Sequence, residues 1–224
     1  MTLLTNKQLE PIVSSYLKKQ VNGNLENTFD VLRDIQNNYL QTNDNDDLRY
    51  LLALCLRCRH GWRMPWNSTK EAVDRLIAKN VLNMHFTDFE SLYDYLKQLL
   101  DDISFVRGDL TLYDTVVNIG QLLKPIVAPH AYVYLAAGAR EGAGYIFGKR
   151  NVKRKMSTGD FSTLLPGVSN IDIENMLCIY KSLFKKLSEG HTLSPLEIDL
   201  AYNPHCFNPS SKDLYIKHLN SIIP

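Results

Sequence analysis

The amino-acid sequence predicts an all-α protein, and three observations carry that expectation. Apolar residues recur every three or four positions along nearly the whole chain. Alternating strand patterns are almost absent. Helix punctuation falls between the periodic runs: Ser-x-x-Glu strings open some of them, and Gly or Pro closes others.

Taken in order, residues 6–21 form the first helix, with Leu9, Ile12, Val13, Tyr16 and Leu17 on one stripe. A second helix over 26–40 turns Phe29, Leu32, Ile35 and Tyr39 inward. The polar run QTNDNDD (41–47) is a loop whose acids suit the start of the next helix. Residues 47–59, DLRYLLALCLRCR, are apolar on most sides and predict a buried central helix, which HGWRMPW then ends. Ser68 with Glu71 reads as a capping box before AVDRLIAKNVL. Thr87 opens a further helix with Phe89, Leu92, Tyr95, Leu96 and Leu99 inside. A helix follows in FVRGDLTLYDTVVNIGQLL (105–123), and Pro125 and Pro129 bracket a connector. The stretch from 131 to 147 is rich in Ala and Gly, 148–163 is an exposed loop, and 171–188 is one helix capped by Asn170 and stopped by Gly190. Ser194-Pro195 with Glu197 makes a second capping box, and a last helix covers roughly 211–222. The count is about nine or ten helices in a globular bundle, one domain over 1–224 with a lobe boundary near 104–109. Leu51, Leu52, Leu54, Leu96, Ile119 and Leu135 are expected in the core.

Composition excludes more than it selects. The apolar fraction of 45% and the charged fraction of 22% are ordinary for a globular protein. Twenty-five basic residues against 24 acidic ones give no global field toward nucleic acid or membrane, so any such binding needs a local patch. No run approaches the roughly eighteen apolar residues of a membrane span. MTLLTNKQLEPIV lacks the basic-then-apolar build of a signal peptide, and four cysteines make a poor disulfide framework. A cytoplasmic protein is expected.

Four stretches carry the candidate chemistry. The turn at Arg107, Gly108 and Thr111 precedes a helix, and such a turn can present backbone N–H groups to a phosphate. It has the outline of a helix-hairpin-helix with Leu110 where a second glycine is usual, and Asp114 follows six residues after Gly108. LLPGVSNIDIENML (164–177) is a second hairpin-like string, with Ser169 at the second glycine's place and Glu174 in the helix that follows. GKRNVKRK (148–155) holds five basic residues in eight, Lys149, Arg150, Lys153, Arg154 and Lys155, and no acid. In CLRCRHGWRMPW (55–66), Cys55, Cys58 and His60, with His205 and Cys206 far along the chain, suggest a metal set; the helical setting of Cys55 argues for packing, so no metal and no cofactor are expected. Trp62, Arg63 and Trp66 form an aromatic and basic corner. No Walker loop, GxSxG or HExxH occurs.

LTLYDTVVNIGQLL, YVYLAAGAREGA (132–143) and IENMLCIYKS (173–182) together resemble a pattern of uncharacterised bacterial helical proteins, which pair a YDT…IG segment with a VYLxxGAxxGA segment. More distantly, the turn followed by Tyr-Asp and an apolar helix is similar to helix-hairpin-helix DNA glycosylases. That resemblance, over about residues 100–185, implies DNA or RNA as partner and Asp114 as the catalytic acid that assists base excision. Two readings stand open from the residues alone. One is a nucleic-acid-binding protein gripping phosphate through Arg107–Thr111 and Lys149–Lys155. The other is a non-enzymatic module whose small-residue face at 136–144 docks a protein partner.

Overall fold

The computed structural model describes residues 4–21, 26–57, 63–106, 109–202 and 211–221. The described residues are mostly helical, with 71% of them in helix and one small two-stranded sheet. In chain order the elements are α1 (Asn6–Val21), α2 (Glu26–Thr42), α3 (Asn45–Arg57), α4 (Trp66–Ala78), α5 (Phe89–Leu100) and α6 (Asp109–Leu122). Then come β1 (Tyr132–Tyr134), α7 (Ala137–Phe147), β2 (Lys155–Ser157), α8 (Thr158–Ser162), α9 (Asn170–Ile179), α10 (Lys181–Ser188), α11 (Pro195–Ala201) and α12 (Lys212–Asn220). The chain divides into two units. The first comprises residues 1–24 and 129–204, the second 25–128 and 205–224, and the segment 104–109 lies inside the second.

The second unit is built around α3 and α6. Residues Tyr50 to Leu56 of α3 are buried without interruption, as an all-round apolar sequence requires, and α2, α4, α6 and α12 pack against it. In α6 every residue from Thr111 to Gly120 is buried. Its polar groups are placed accordingly: Thr115 Oγ1 donates to the Thr111 carbonyl at 2.8 Å, and Asn118 Nδ2 donates to the Cys55 carbonyl at 3.1 Å, tying α6 to the end of α3. Gly120 is where the following chain folds back, and Val127 N–H donates to its carbonyl at 2.9 Å. A Cβ at Gly120 would lie 2.1 Å from the Val127 oxygen, so only glycine fits. The helix α12 closes this unit, with Lys212 bridging Asp44 and Asp47 at 2.8 and 2.6 Å and His218 stacked on Trp66 at 4.5 Å.

In the first unit α7 packs on α9 and α10, and α1 lies along α11. Leu9, Ile12 and Tyr16 of α1 are fully buried, and Tyr16 donates to the Asp172 carboxylate at 3.0 Å. All six residues expected in the core are buried.

Several local expectations are corrected. In α2 the buried positions are Thr28, Leu32 and Gln36 rather than Phe29, Ile35 and Tyr39, because Gln36 Nε2 donates to the Leu122 carbonyl at 2.9 Å and turns its own face inward. Ser68 lies within α4, which starts at Trp66 after Pro65, and its side chain makes no cap. Asp88, not Thr87, caps α5, in a reciprocal pair with Ser91. The stretch 171–188 is two helices broken at the fully buried Tyr180, and its cap is Ser169, which frees Asn170 for another task. The Ser194–Glu197 capping box with Pro195 forms as the sequence implies. The supposed loop 148–163 contains β2 and α8.

Candidate nucleic-acid interface

The basic run sits on a short ribbon in the first unit. Antiparallel pairing sets Tyr132 against Ser157, Val133 against Met156 and Tyr134 against Lys155. Two further bonds extend the ladder, Leu135 N–H to the Arg154 carbonyl at 2.7 Å and Thr158 N–H to the Ala131 carbonyl at 3.0 Å. The period of two along each strand buries Val133 and Met156 and leaves Tyr132, Lys155 and Ser157 exposed. The Lys155 ammonium lies 3.9 Å from the ring centre of Tyr132 and 5.3 Å from that of Tyr134, so the cation is held over aromatic faces.

Between α7 and β2 the chain reverses at Gly148, whose φ of 83° suits glycine, and makes a 3-10 turn over Lys149–Asn151. Asn151 Nδ2 donates to the Phe147 carbonyl at 2.8 Å and satisfies the end of α7. All five basic side chains, Lys149, Arg150, Lys153, Arg154 and Lys155, are exposed. Among the described residues no carboxylate lies within ion-pair distance of Lys149, Arg150 or Lys153, whereas Glu141 nearby is held below the usual carboxylate range, chiefly by its hydrogen bond to Lys181. Beside the ribbon is a groove of ≈ 660 Å³ lined by Tyr132, Phe147, Lys153, Lys155 and Met156, with Asn151, Ser157 and Asp160 also on its wall.

One buried amide holds this edge together. Asn170, 4% exposed, directs Nδ2 at the His130 carbonyl (2.8 Å), the Tyr132 carbonyl (3.1 Å) and Thr158 Oγ1 (2.7 Å). Thr158 in turn donates to the His130 carbonyl at 2.6 Å. The start of β1, the start of α8 and the start of α9 therefore meet at a single side chain. Ser157 and Asp160 cap α8 reciprocally, Ser157 N–H donating to Asp160 Oδ2 at 3.0 Å.

The other sequence candidates fall elsewhere. Arg107 and Gly108 lie outside the described residues. Thr111 and Asp114 belong to α6 in the second unit and are 5% and 2% exposed, within the buried run described above. The turn and the basic run thus occupy different units. In the second hairpin-like string Gly167 has a φ of 75°, Ser169 accepts from Asp172 N–H, and Glu174 is 1% exposed inside α9. The small-residue face is filled from within its own unit: a Cβ at Gly142 would lie 2.2 Å from the Leu177 carbonyl oxygen, and one at Gly138 would lie 2.6 Å from Cys178 Sγ. Ala139 and Ala143 are fully buried there. Cys55 is buried in α3, while Cys58, His60, His205 and Cys206 lie outside the described residues. Among the described residues no group of three His, Cys, Asp or Glu side chains is placed to hold a metal. Trp66 is partly buried with the Arg57 guanidinium 3.9 Å above its ring, Arg63 is exposed, and Trp62 is outside the described residues. No described helix is long and apolar enough to cross a membrane.

Two participants escaped the sequence reading, Tyr132 and Asn170. For the first, the only signal was the three-residue alternation Tyr-Val-Tyr, too short to mark a strand in a helix-rich sequence. For the second there was none, because Asn before a helix reads as a cap.

No protein-family model, no curated protein and no solved structure matches the chain.

Proposed function

We propose that the first unit binds nucleic acid through the ribbon and the turn that precedes it. One observation carries the reading: Lys149, Arg150, Lys153, Arg154 and Lys155 are all exposed along one short segment whose end, Lys155, is paired in the ribbon beside exposed Tyr132. Lysine and arginine side chains in such a row neutralise successive backbone phosphates, and the counterions they displace supply the driving force. The near-zero net charge of the chain confines this attraction to the patch. The contacts are to phosphate and sugar, so the binding is independent of sequence to first order. The reading assigns no chemistry to Asp114.

The test is fluorescence anisotropy with labelled oligonucleotides. Binding is expected in the micromolar range at low salt. Raising salt from about 50 to 200 mM should weaken it by on the order of a hundredfold, as about five phosphate contacts imply. Changing all five basic residues to Gln should nearly abolish it. Absence of binding at low salt by the unaltered protein, or binding that survives the five changes, ends the proposal.

A further inference from the structure

We infer that the groove beside the ribbon receives one unstacked base, so that the nucleic acid bound is single-stranded. The inference rests on the reading above and deepens it. The groove, at ≈ 660 Å³, falls in the range of about 300–1,000 Å³ found for small-ligand sites. Its walls divide by chemistry. Tyr132, Phe147 and Met156 are apolar, and Lys153 and Lys155 are cationic.

The apolar part is firm. Phe147 stands at 88° to Phe161 with ring centres 5.1 Å apart, and Phe161 is fully buried, so the floor cannot swing away without disturbing the core. Tyr132 is 37% exposed, and its backbone carbonyl is fixed by Asn170 at 3.1 Å. The two lysines place positive charge at the same mouth, which is the combination of stacking surface and phosphate contact that single-strand binders use. A duplex hides its base faces in the stack and would leave the apolar floor unfilled. Asp160 also lines the groove, with Oδ2 engaged by Ser157 N–H. A carboxylate there repels a phosphate and accepts from a base N–H, so it orients the base edge inward and the backbone toward Lys153 and Lys155.

The experiment compares one labelled oligonucleotide of mixed sequence as a single strand and annealed to its complement, with unaltered protein, Tyr132→Ala and Tyr132→Phe. The single strand should bind at least about tenfold tighter than the duplex, as one stacked base implies. Tyr132→Ala should lose about tenfold on the single strand and distinctly less on the duplex, and Tyr132→Phe should retain the preference. A 2-aminopurine base in the strand should change its fluorescence on binding to the unaltered protein and not to Tyr132→Ala. Equal affinity for the two forms, or equal losses on both with Tyr132→Ala, overturns the base pocket while the broader nucleic-acid reading stands. If neither form binds, both fall together.

Discussion

The helix α6 and the β1–β2 ribbon dispose their polar side chains in opposite ways. In α6, Thr111, Asp114, Thr115 and Asn118 are all buried, and the hydrogen bonds of Thr115 and Asn118 go to backbone carbonyls of their own unit. On the ribbon and its preceding turn, five cations stand in solvent, and two of them, Lys153 and Lys155, line a groove with Tyr132 and Phe147. A buried polar group is held by the fold and its loss is read in stability, whereas an exposed row of like charges contributes little to stability and is read in binding. The two segments look alike as strings of Gly, charge and helix; burial separates them.

That contrast can be broken most severely at Gly120. Replacing it with Ala would drive a methyl group into the Val127 carbonyl, and a loss of about 3 kcal/mol is expected by urea denaturation. A change under about 0.5 kcal/mol would show that the chain after α6 moves aside at little cost. Next comes Asn118→Ala, which removes the hydrogen bond tying α6 to the Cys55 carbonyl of α3; about 1–3 kcal/mol should be lost, with nucleic-acid binding unchanged. Asp114→Asn probes the same interior with a smaller change of shape. A loss of about 1 kcal/mol without effect on binding marks it as a structural group, and an unaltered stability would set α6 apart from this account.

The surface end of the comparison carries smaller effects. Glu197 is held down to about 2, first by the Ser194 N–H and then by Lys186 and the Ser194 hydroxyl. A carboxylate depressed in the folded state stabilises fully above its unfolded value near 4.5 and loses that contribution as pH falls toward 2. Glu197→Gln should therefore lower stability slightly at neutral pH and flatten the acid limb, the difference from the unaltered protein disappearing as pH falls toward 2. Smallest of all, the five ribbon changes to Gln should move stability at neutral pH by no more than about 0.5 kcal/mol while removing binding.

Helix content and the main core positions were readable because they are periodic: Leu51, Leu54 and Leu96 repeat at helical spacing and are buried. What escaped was set by single polar side chains acting across the chain. The rotation of α2 depends on Gln36 reaching Leu122, 86 residues away, which no local window contains. The ribbon depends on Asn170 reaching His130 and Tyr132, separations of 40 and 38 residues. The basic run was legible as charge, but its neighbours were not, since Tyr132 joins it only through a pairing of three residues per strand. A strand that short has too little alternation to stand out from a helix-rich background.

The way each unit is closed has a consequence for the order in which the chain becomes a structure during synthesis. The first unit joins α1 to segments made much later, through Tyr16 and Asp172 and through Lys19 and Asp199. The second draws α12 back onto a surface made early, with Lys212 reaching Asp44 and His218 reaching Trp66. A ribosome that has released residues 25–128 has not yet made the helix that covers Trp66 and Tyr50. At about 5–20 residues per second, that apolar surface stays open for several seconds on each nascent chain. Such long-range closures slow folding as well. The interval in which this protein is most open to aggregation, or to a chaperone, is thus written into the path of its own backbone.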